Sequence, residues 1–345
     1  MSDERYIQRC FQLAKLGAGH VSPNPLVGAV LVHAGKIIGE GWHQQYGGPH
    51  GEVNCIRSVS PENQALIPLS TLYCNLEPCS HFGKTPPCAD LILQHKIPKV
   101  VVSNTDPNPL VAGKGLAKLR ANGVEVIEGM LEAEGLWLNR SFFTWILACR
   151  PFVCLKWAQS ADGFIGKTDA RIPISSPMAL RLVHRWRSEL DAILVGTHTA
   201  VLDNPKLDAR HYSEKKPLRI AIDVQGKIPE THHLLDDSGA TWIFGKDRSD
   251  DEGDFKNTRF FPLEGQLSIP DLLEKLKQAN RASLLVEGGA NLLNQFIQNG
   301  IWDEIRVVEN NQRLGEGVSA PKLPADAVLK DQFQLETDQV RIFAR

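Results

Sequence analysis

The sequence predicts a two-domain protein of the α/β class. Its 345 residues exceed what one ordinary hydrophobic core organises, so two domains are expected. Apolar runs typical of strands alternate with helical periodicity, which is the pattern of a layered α/β fold. Arg150-Pro151 then interrupts a helical segment. We therefore expect one domain over residues 1–148 and a second over residues 149–345.

The first domain begins with an amphipathic helix, because residues 4–16 place apolar side chains at helical spacing. The apolar runs 27–32 and 36–42 are joined by His33-Ala-Gly-Lys36, as in a hairpin with a glycine turn. Further strands are expected at 71–76, 99–103 and 124–127, and helices from residue 53, from Cys88, over 115–121 and within 131–150.

The second domain contains a strand that passes through glycines into a helix, over residues 284–293. This arrangement is suited to seating a phosphate on backbone N–H groups at a helix N-terminus. A helix opened by Ser176-Pro177 extends to Arg187. Buried strands are expected at 151–158, 191–196, 218–223 and 241–244.

Composition and charge argue against nucleic-acid and membrane partners. The formal net charge is −2, and residues 1–148 hold 12 basic and 12 acidic side chains, so the first domain lacks the basic excess that phosphate-backbone binding needs. No apolar run approaches the ~20 residues that span a bilayer, and the N-terminus lacks the apolar core of a secretory signal. We expect a cytoplasmic protein whose partner is a small molecule.

The stretch from His50 to Cys88 predicts a catalytic zinc site. His50 offers an imidazole and Cys79 and Cys88 offer thiolates, so three protein ligands leave the fourth tetrahedral position for water. We expect both thiolates at loop-to-helix junctions, where the positive helix end favours S⁻. Zinc lowers the pKa of its water to about 7, and Glu52 is placed to shuttle the protons. Seven irregularly spaced cysteines fit one metal site better than a disulfide framework.

The motifs around this stretch resemble those of the cytidine-deaminase-like zinc hydrolases, and in full those of the deaminase half of the bifunctional riboflavin-biosynthesis deaminase/reductases. They are Pro23-Asn-Pro-Leu-Val-Gly28, Gly39-Glu-Gly-Trp-His43, His50-Gly-Glu52, Glu77-Pro-Cys-Ser-His-Phe-Gly-Lys-Thr-Pro-Pro-Cys88 and Asp106-Pro-Asn-Pro109. The eight residues between the cysteines distinguish this group from the Pro-Cys-x-x-Cys of ordinary base deaminases. The resemblance implies a three-layer domain that removes a pyrimidine amino group as ammonia. It implies that a phosphorylated aminopyrimidine ribotide contacts Asn24, His43, His81, Lys84, Asp106 and Asn108.

The second half resembles the pyrimidine-reductase half of the same family, whose fold is similar to dihydrofolate reductase and whose hydride comes from NADPH. The matching motifs are Lys156-x-Ala-x-Ser-x-Asp-Gly163, Gly196-Thr-x-Thr199-x-x-x-Asp203-Asn-Pro205-x-Leu207 and Glu287-Gly-Gly289. The resemblance implies cofactor contacts from Ala158, Thr199, Asp203, Gly289, Ala290, Asn291, Leu292 and Leu293. It implies that Lys156, Arg187, Leu207, Arg210 and Glu287 face a ribosylamino substrate that is reduced to its ribityl form.

One segment departs from the family pattern. Arg171-Ile172-Pro173 stands where many relatives carry a Ser-Lys/Gln-Trp triplet. A cofactor contact of that tryptophan therefore cannot be carried over to this chain.

The sequence thus predicts a two-step enzyme that uses one zinc ion per chain and NADPH. We also expect a homo-oligomer, either a dimer or a tetramer. Two rival interpretations remain at this point: a nucleoside or tRNA-base deaminase with an appended domain, and a binding module with structural zinc. The near-neutral first half argues against the tRNA version, and Glu52 with only three ligands argues against structural zinc.

Overall fold

The computed structural model describes residues 3–80, 86–109, 112–246, 255–263, 265 and 267–345. His81 and Lys84, two of the expected substrate contacts, lie outside the described residues. The chain divides into two compact units, Met1–Arg150 and Pro151–Arg345, each with its own hydrophobic clusters. Within the described ranges, no helix is long and apolar enough to cross a membrane.

The first unit is built on a mixed sheet of five strands in its described part. The strands are β1 (Gly28–His33), β2 (Lys36–Trp42), β3 (Thr71–Leu76), β4 (Lys99–Asn104) and β5 (Glu125–Ile127). The helices are α1 (Glu4–Lys15), α2 (Gly51–Arg57), α3 (Cys88–Gln94), α4 (Lys114–Ala121), α5 (Glu132–Leu138) and α6 (Arg140–Leu147). The sheet order is β2-β1-β3-β4-β5, and β3, β4 and β5 run parallel, so β3 and β4 deliver their C-terminal loops to the same edge.

Two hydrophobic clusters cover the two faces of this sheet. Successive residues of β1 point to opposite faces, so Val30 packs with Ile7 of α1 while Leu31 packs with Ile92 of α3. Helices therefore lie on both sides of the sheet. This confirms the three-layer arrangement that the resemblance implied.

The helix expected within 131–150 is two helices, and the break at Asn139 has a local cause. Asn139 separates α5 from α6 with a non-helical backbone (φ −100°, ψ 17°). Its side-chain Oδ1 accepts the Leu26 N–H at 2.8 Å, and its Nδ2 donates to the Leu26 carbonyl at 3.0 Å. The side chain holds the loop before β1, so a contact distant in sequence overrides the helical pattern.

The second unit is built on a sheet of nine strands in its described part. The strands are β6 (Phe152–Ser160), β7 (Ala192–Val195), β8 (Leu218–Asp223), β9 (Thr241–Gly245), β10 (Thr258–Pro262), β11 (Ser283–Val286), β12 (Glu304–Asn310), β13 (Val328–Leu335) and β14 (Asp338–Ala344). The helices are α7 (Pro177–Glu189), α8 (Thr197–Asp203), α9 (Ile269–Gln278) and α10 (Ala290–Gln298).

The centre of this sheet positions the second site. The order is β10-β9-β8-β7-β11-β6-β12-β14-β13, and every neighbouring pair is parallel except β12–β14 and β14–β13. Because β11 pairs with both β6 and β7, Val286 lies beside Leu155 on one side and Leu194 on the other. The residues after these three positions converge at one edge, which is where parallel sheets bind ligands.

Candidate active sites

The three predicted zinc ligands meet in the first unit. His50 is the extended N-cap residue of α2, Cys79 follows the end of β3, and Cys88 is the first residue of α3. The His50 Nδ1 atom lies 3.5 Å from the Cys79 Sγ and 3.4 Å from the Cys88 Sγ. The three donor atoms all lie within 4.8 Å of one another. This set of one imidazole and two thiols suits a tetrahedral zinc ion that keeps one position open.

Only one thiol lies at a helix start, which corrects the expectation for Cys79. Cys79 lies in the loop that begins after β3 ends at Leu76, and neither it nor the following Ser80 is helical. Its sulfur nevertheless accepts the Cys88 N–H at 3.3 Å, in the first turn of α3. Hydrogen bonding with Cys88, and then with His50, lowers the pKa of Cys79 to about 4. The first thiolate therefore forms at Cys79, while the pKa of Cys88 is raised by its neighbour.

Glu52 lies in the first turn of α2 and is 2% exposed. Burial raises the pKa of its carboxyl to about 7. Its Oε2 atom is buried and has no hydrogen-bond partner in the described part of the chain. A carboxyl that titrates near neutrality and keeps a free oxygen beside the ligand cluster is suited to both accepting and returning a proton.

Asn24 and His43 are brought beside the zinc ligands. The His43 and His50 rings meet edge to face with centroids 5.5 Å apart. The His43 Nδ1 lies 3.0 Å from the Pro49 carbonyl and must donate to it, so Nε2 accepts from the Asn24 amide at 3.2 Å. Burial also lowers the pKa of His43, which favours this neutral tautomer. The Asn24 amide is thereby oriented by the ring.

Glu77 is a structural determinant of this site to which the sequence alone assigns no role. Its buried carboxylate accepts four backbone N–H groups, from Asp106, Gly113, Gly115 and Leu116, at 2.8 to 3.3 Å. It thus ties the loop after β4 and the start of α4 to the segment that carries Cys79. An acidic residue directly before Pro-Cys was the available signal.

The same carboxylate places Asp106 and Asn108. Asp106 is 8% exposed, and its Oδ1 accepts the Asn108 N–H at 2.8 Å, which closes the loop on itself. The structure therefore holds both residues at the edge where β3 and β4 end, as the parallel sheet requires.

A pocket of about 250 Å³ lies at the converging strand ends of the second unit. Most of the residues predicted for the reductase line it: Lys156, Ala158, Arg187, Thr199, Asp203, Leu207, Glu287 and Gly289. Arg171, Ile172 and Ile174 complete one side. The predicted cofactor and substrate residues thus share one cavity.

A buried ion pair forms the floor of this pocket. Arg187 donates to both carboxylate oxygens of Glu287, from Nε at 3.0 Å and from Nη2 at 2.6 Å. Burial opposes the ionisation of Glu287, but Arg187 and Lys156 together lower its pKa. Lys156 is itself buried, which lowers the pKa of its ammonium group.

The remaining predicted residues do not line the pocket. The side chains of Leu292 and Leu293 are buried in the hydrophobic core, and their N–H groups donate to the Gly289 carbonyl at 3.1 and 3.2 Å. Gly289 is the N-cap of α10, and no side chain caps it. Arg210 is half exposed and pairs with Asp208 at 2.6 Å instead. The N–H groups available to a phosphate at the start of α10 are therefore those of Ala290 and Asn291.

Two family models match the chain and divide it between them. The cytidine and deoxycytidylate deaminase zinc-binding region matches residues 1–104. The RibD C-terminal domain matches residues 151–341.

Curated relatives and solved structures match nearly the full length. The riboflavin biosynthesis protein RibD of Aquifex aeolicus is 38% identical over 92% of this chain and 89% of its own length. The protein of the same name from Escherichia coli is 33% identical over 99% and 96%. A crystal structure of a diaminohydroxyphosphoribosylaminopyrimidine deaminase/5-amino-6-(5-phosphoribosylamino)uracil reductase from Thermotoga maritima is 32% identical, with a TM-score of 0.89 over 99% of this chain and 98% of that one. Acinetobacter baumannii RibD is 31% identical, with a TM-score of 0.85 over the same shares.

Proposed function

The chain belongs to the RibD family of bifunctional deaminase/reductases of riboflavin biosynthesis, and we propose that its two units divide the two reactions between them. The first unit hydrolyses the amino group of 2,5-diamino-6-(5-phosphoribosylamino)pyrimidin-4-one. The second reduces the ribosyl side chain of the product to ribityl. The enzyme uses zinc and NADPH, and its substrate is a small molecule.

The juxtaposition of Glu52 with the His50–Cys79–Cys88 cluster supports the deaminase assignment best. Zinc fits there, because three donor atoms lie within 4.8 Å and the buried Glu52 Oε2 has no partner in the described chain. Bound zinc would supply hydroxide at neutral pH. Glu52, whose buried Oε2 has no partner in the described chain, accepts one proton from the attacking water and returns it to the departing nitrogen. The ring carbon gains oxygen and ammonia leaves.

The chain positions the pyrimidine with polar groups that two other side chains hold in place. The Asn24 amide is oriented by His43, which donates from Nδ1 to Pro49 and cannot rotate freely. Asp106 and Asn108 lie in a loop that Glu77 holds against the segment of Cys79. We infer that these groups contact the base edge and the ribose, as the match of positions suggests.

The second unit orients a ribosylamino sugar against the nicotinamide. NADPH supplies the hydride when it is bound. Its phosphates fit the uncapped start of α10 at Gly289, next to Thr199 and Asp203 of α8. Lys156 and the Arg187–Glu287 pair lie deep in the pocket, where they can hold the sugar hydroxyls in one orientation and exclude water.

The rival interpretations have no comparable support. A nucleoside or tRNA-base deaminase with an unrelated appended domain does not fit residues 151–341, which match the RibD C-terminal domain. A closed structural zinc site would need a fourth protein ligand, and the cluster in the described residues has three. The cytoplasmic location and the dimeric or tetrameric assembly stay predictions.

Metal analysis combined with cofactor titration tests this assignment. We expect zinc near one per chain and saturable binding of NADPH to the purified protein. Zinc without cofactor binding would contradict the assignment of the second unit. Cofactor binding without zinc, in protein purified with zinc supplied, would contradict the assignment of the first.

A further inference from the structure

Arg171 occupies the second pocket in place of the family's Ser-Lys/Gln-Trp segment. It lines the cavity together with Ile172, Thr199 and Asp203. The segment is held there from behind, because Gln312 Nε2 donates to the carbonyls of Pro173 at 3.2 Å and of Ile174 at 3.3 Å. The arginine is therefore part of a fixed wall of the pocket.

The guanidinium of Arg171 is not paired with another side chain of the described residues. Arg187 is neutralised by Glu287, and Lys156 lies beside the same carboxylate. Arg171 is exposed, and within the described residues its guanidinium makes no hydrogen bond and no close ion pair. Its charge does reach Asp203, where it opposes the rise in pKa that burial causes. The arginine is thus directed over the pocket while its donors stay available.

The size of the cavity places a ligand's outer groups beside this residue. A volume of about 250 Å³ is below the ~300–1,000 Å³ typical of drug-sized ligand sites, so it holds a ring and a sugar and not a whole dinucleotide. The rest of any phosphorylated ligand must pass the rim, where Arg171 is exposed. A guanidinium presents a planar fork that matches two phosphate oxygens.

We propose that Arg171 is a phosphate-binding residue of the reductase pocket. An ionic contact to the ligand's phosphate replaces the aromatic surface that this chain lacks, since Ile172 and Pro173 offer neither an aromatic ring nor a charge. The phosphate belongs either to the cofactor or to the ribosyl group of the substrate. This inference rests on the proposed reductase function of the second unit.

Binding measurements on three full-length proteins test this proposal and separate the two sources. Arg171→Gln removes the guanidinium from the pocket. Arg181→Gln is the control, because it removes an arginine from the exposed side of α7, outside the pocket. Dissociation constants are measured for NADPH, for NADH, and for ribose 5-phosphate in the presence of NADP⁺. Loss of one charge-assisted contact predicts about tenfold weaker binding in Arg171→Gln and no change in Arg181→Gln.

The pattern of losses identifies the phosphate. If Arg171→Gln binds NADPH more weakly but NADH as tightly as the wild type, the contact is to the 2′-phosphate. If its affinities for both cofactors fall equally, the contact is to the pyrophosphate. If only the affinity for ribose 5-phosphate falls, the contact is to the phosphate of the substrate. Wild-type affinity of Arg171→Gln for all three ligands overturns the inference and leaves the reductase function intact. Failure of the wild-type protein to bind NADPH overturns the reductase function itself.

Discussion

Arg187 and Glu287 form a two-point ion pair in the lining of the reductase pocket, with both side chains largely buried (13% and 7% exposed). Breaking a buried pair from one side leaves an uncompensated charge, which costs roughly 3–5 kcal/mol. Removal of the Glu287 charge would leave the Arg187 and Lys156 cations close together without their shared counter-charge. We therefore expect the pair to stabilise the fold as well as to line the pocket.

Glu287→Gln should lower the free energy of unfolding by roughly 3 kcal/mol and strongly reduce NADPH oxidation, because Arg187 loses its counter-charge. Glu189→Gln is the matched control, since it breaks the more exposed Arg185–Glu189 pair on α7, for which roughly 0.5 kcal/mol is expected. For both variants, chemical unfolding measures the free energy of unfolding and steady-state kinetics measure NADPH oxidation. Equal effects of the two substitutions would refute the importance assigned to the buried pair.

Glu77→Gln should destabilise the first unit, because an amide cannot accept four N–H groups as a carboxylate does. Loss of charge-assisted hydrogen bonds predicts roughly 2–4 kcal/mol less unfolding free energy, together with slower deamination, since the loop of Asp106 loosens. Glu134→Gln changes an exposed glutamate of α5 and should have neither effect. A fully active, equally stable Glu77→Gln protein would show that the carboxylate is dispensable.

His184 should make stability depend on pH. It is almost completely buried on α7, and burial first, then the charge of Arg187, lowers its pKa to about 4. An unfolded histidine titrates near 6.5, so between pH 6.5 and 4 the unfolded chain binds a proton that the folded protein excludes. The contribution of the neutral His184 to the free energy of unfolding is complete above pH 6.5 and is lost as the pH falls from 6.5 to 4.

His184→Gln should therefore reduce the loss of unfolding free energy between pH 7 and pH 5 by on the order of 1–2 kcal/mol. The exposed His198 on α8 provides the control, because His198→Gln should leave that loss unchanged. Chemical unfolding at the two pH values measures the difference. If His184→Gln and the wild type lost the same free energy, the histidine would not be the titrating group.

The parts of the fold that local pattern governs were predictable. The hairpin of β1 and β2 follows from two apolar runs around a glycine turn, and Cys88 begins α3 as expected. β13 is not predicted from the sequence, and its eight residues are nearly all exposed at the sheet edge. Without a buried face, this strand has no period-two hydrophobic pattern to reveal it.

Roles that depend on contacts distant in sequence could not be predicted. The position of Glu77 before Pro-Cys marks it in the sequence, but its role depends on the N–H groups at the start of α4, 38 and 39 residues away. The three zinc ligands and the proton carrier were predictable, because the chemistry of a histidine, two cysteines and a glutamate follows directly from the residue type. The buried Oε2 of Glu52, which has no partner among the described residues, was not predictable, since burial depends on the packing of α2.

The division of labour between the units is tested most directly by measuring ammonia release and NADPH oxidation on one preparation of Glu52→Gln. The amide keeps the shape of Glu52 but cannot carry its proton, so ammonia release should fall by about 10²- to 10⁴-fold. NADPH oxidation on substrate that has already been deaminated should match the wild type. An equal fall of both activities in a folded variant, or undiminished ammonia release, would contradict the account.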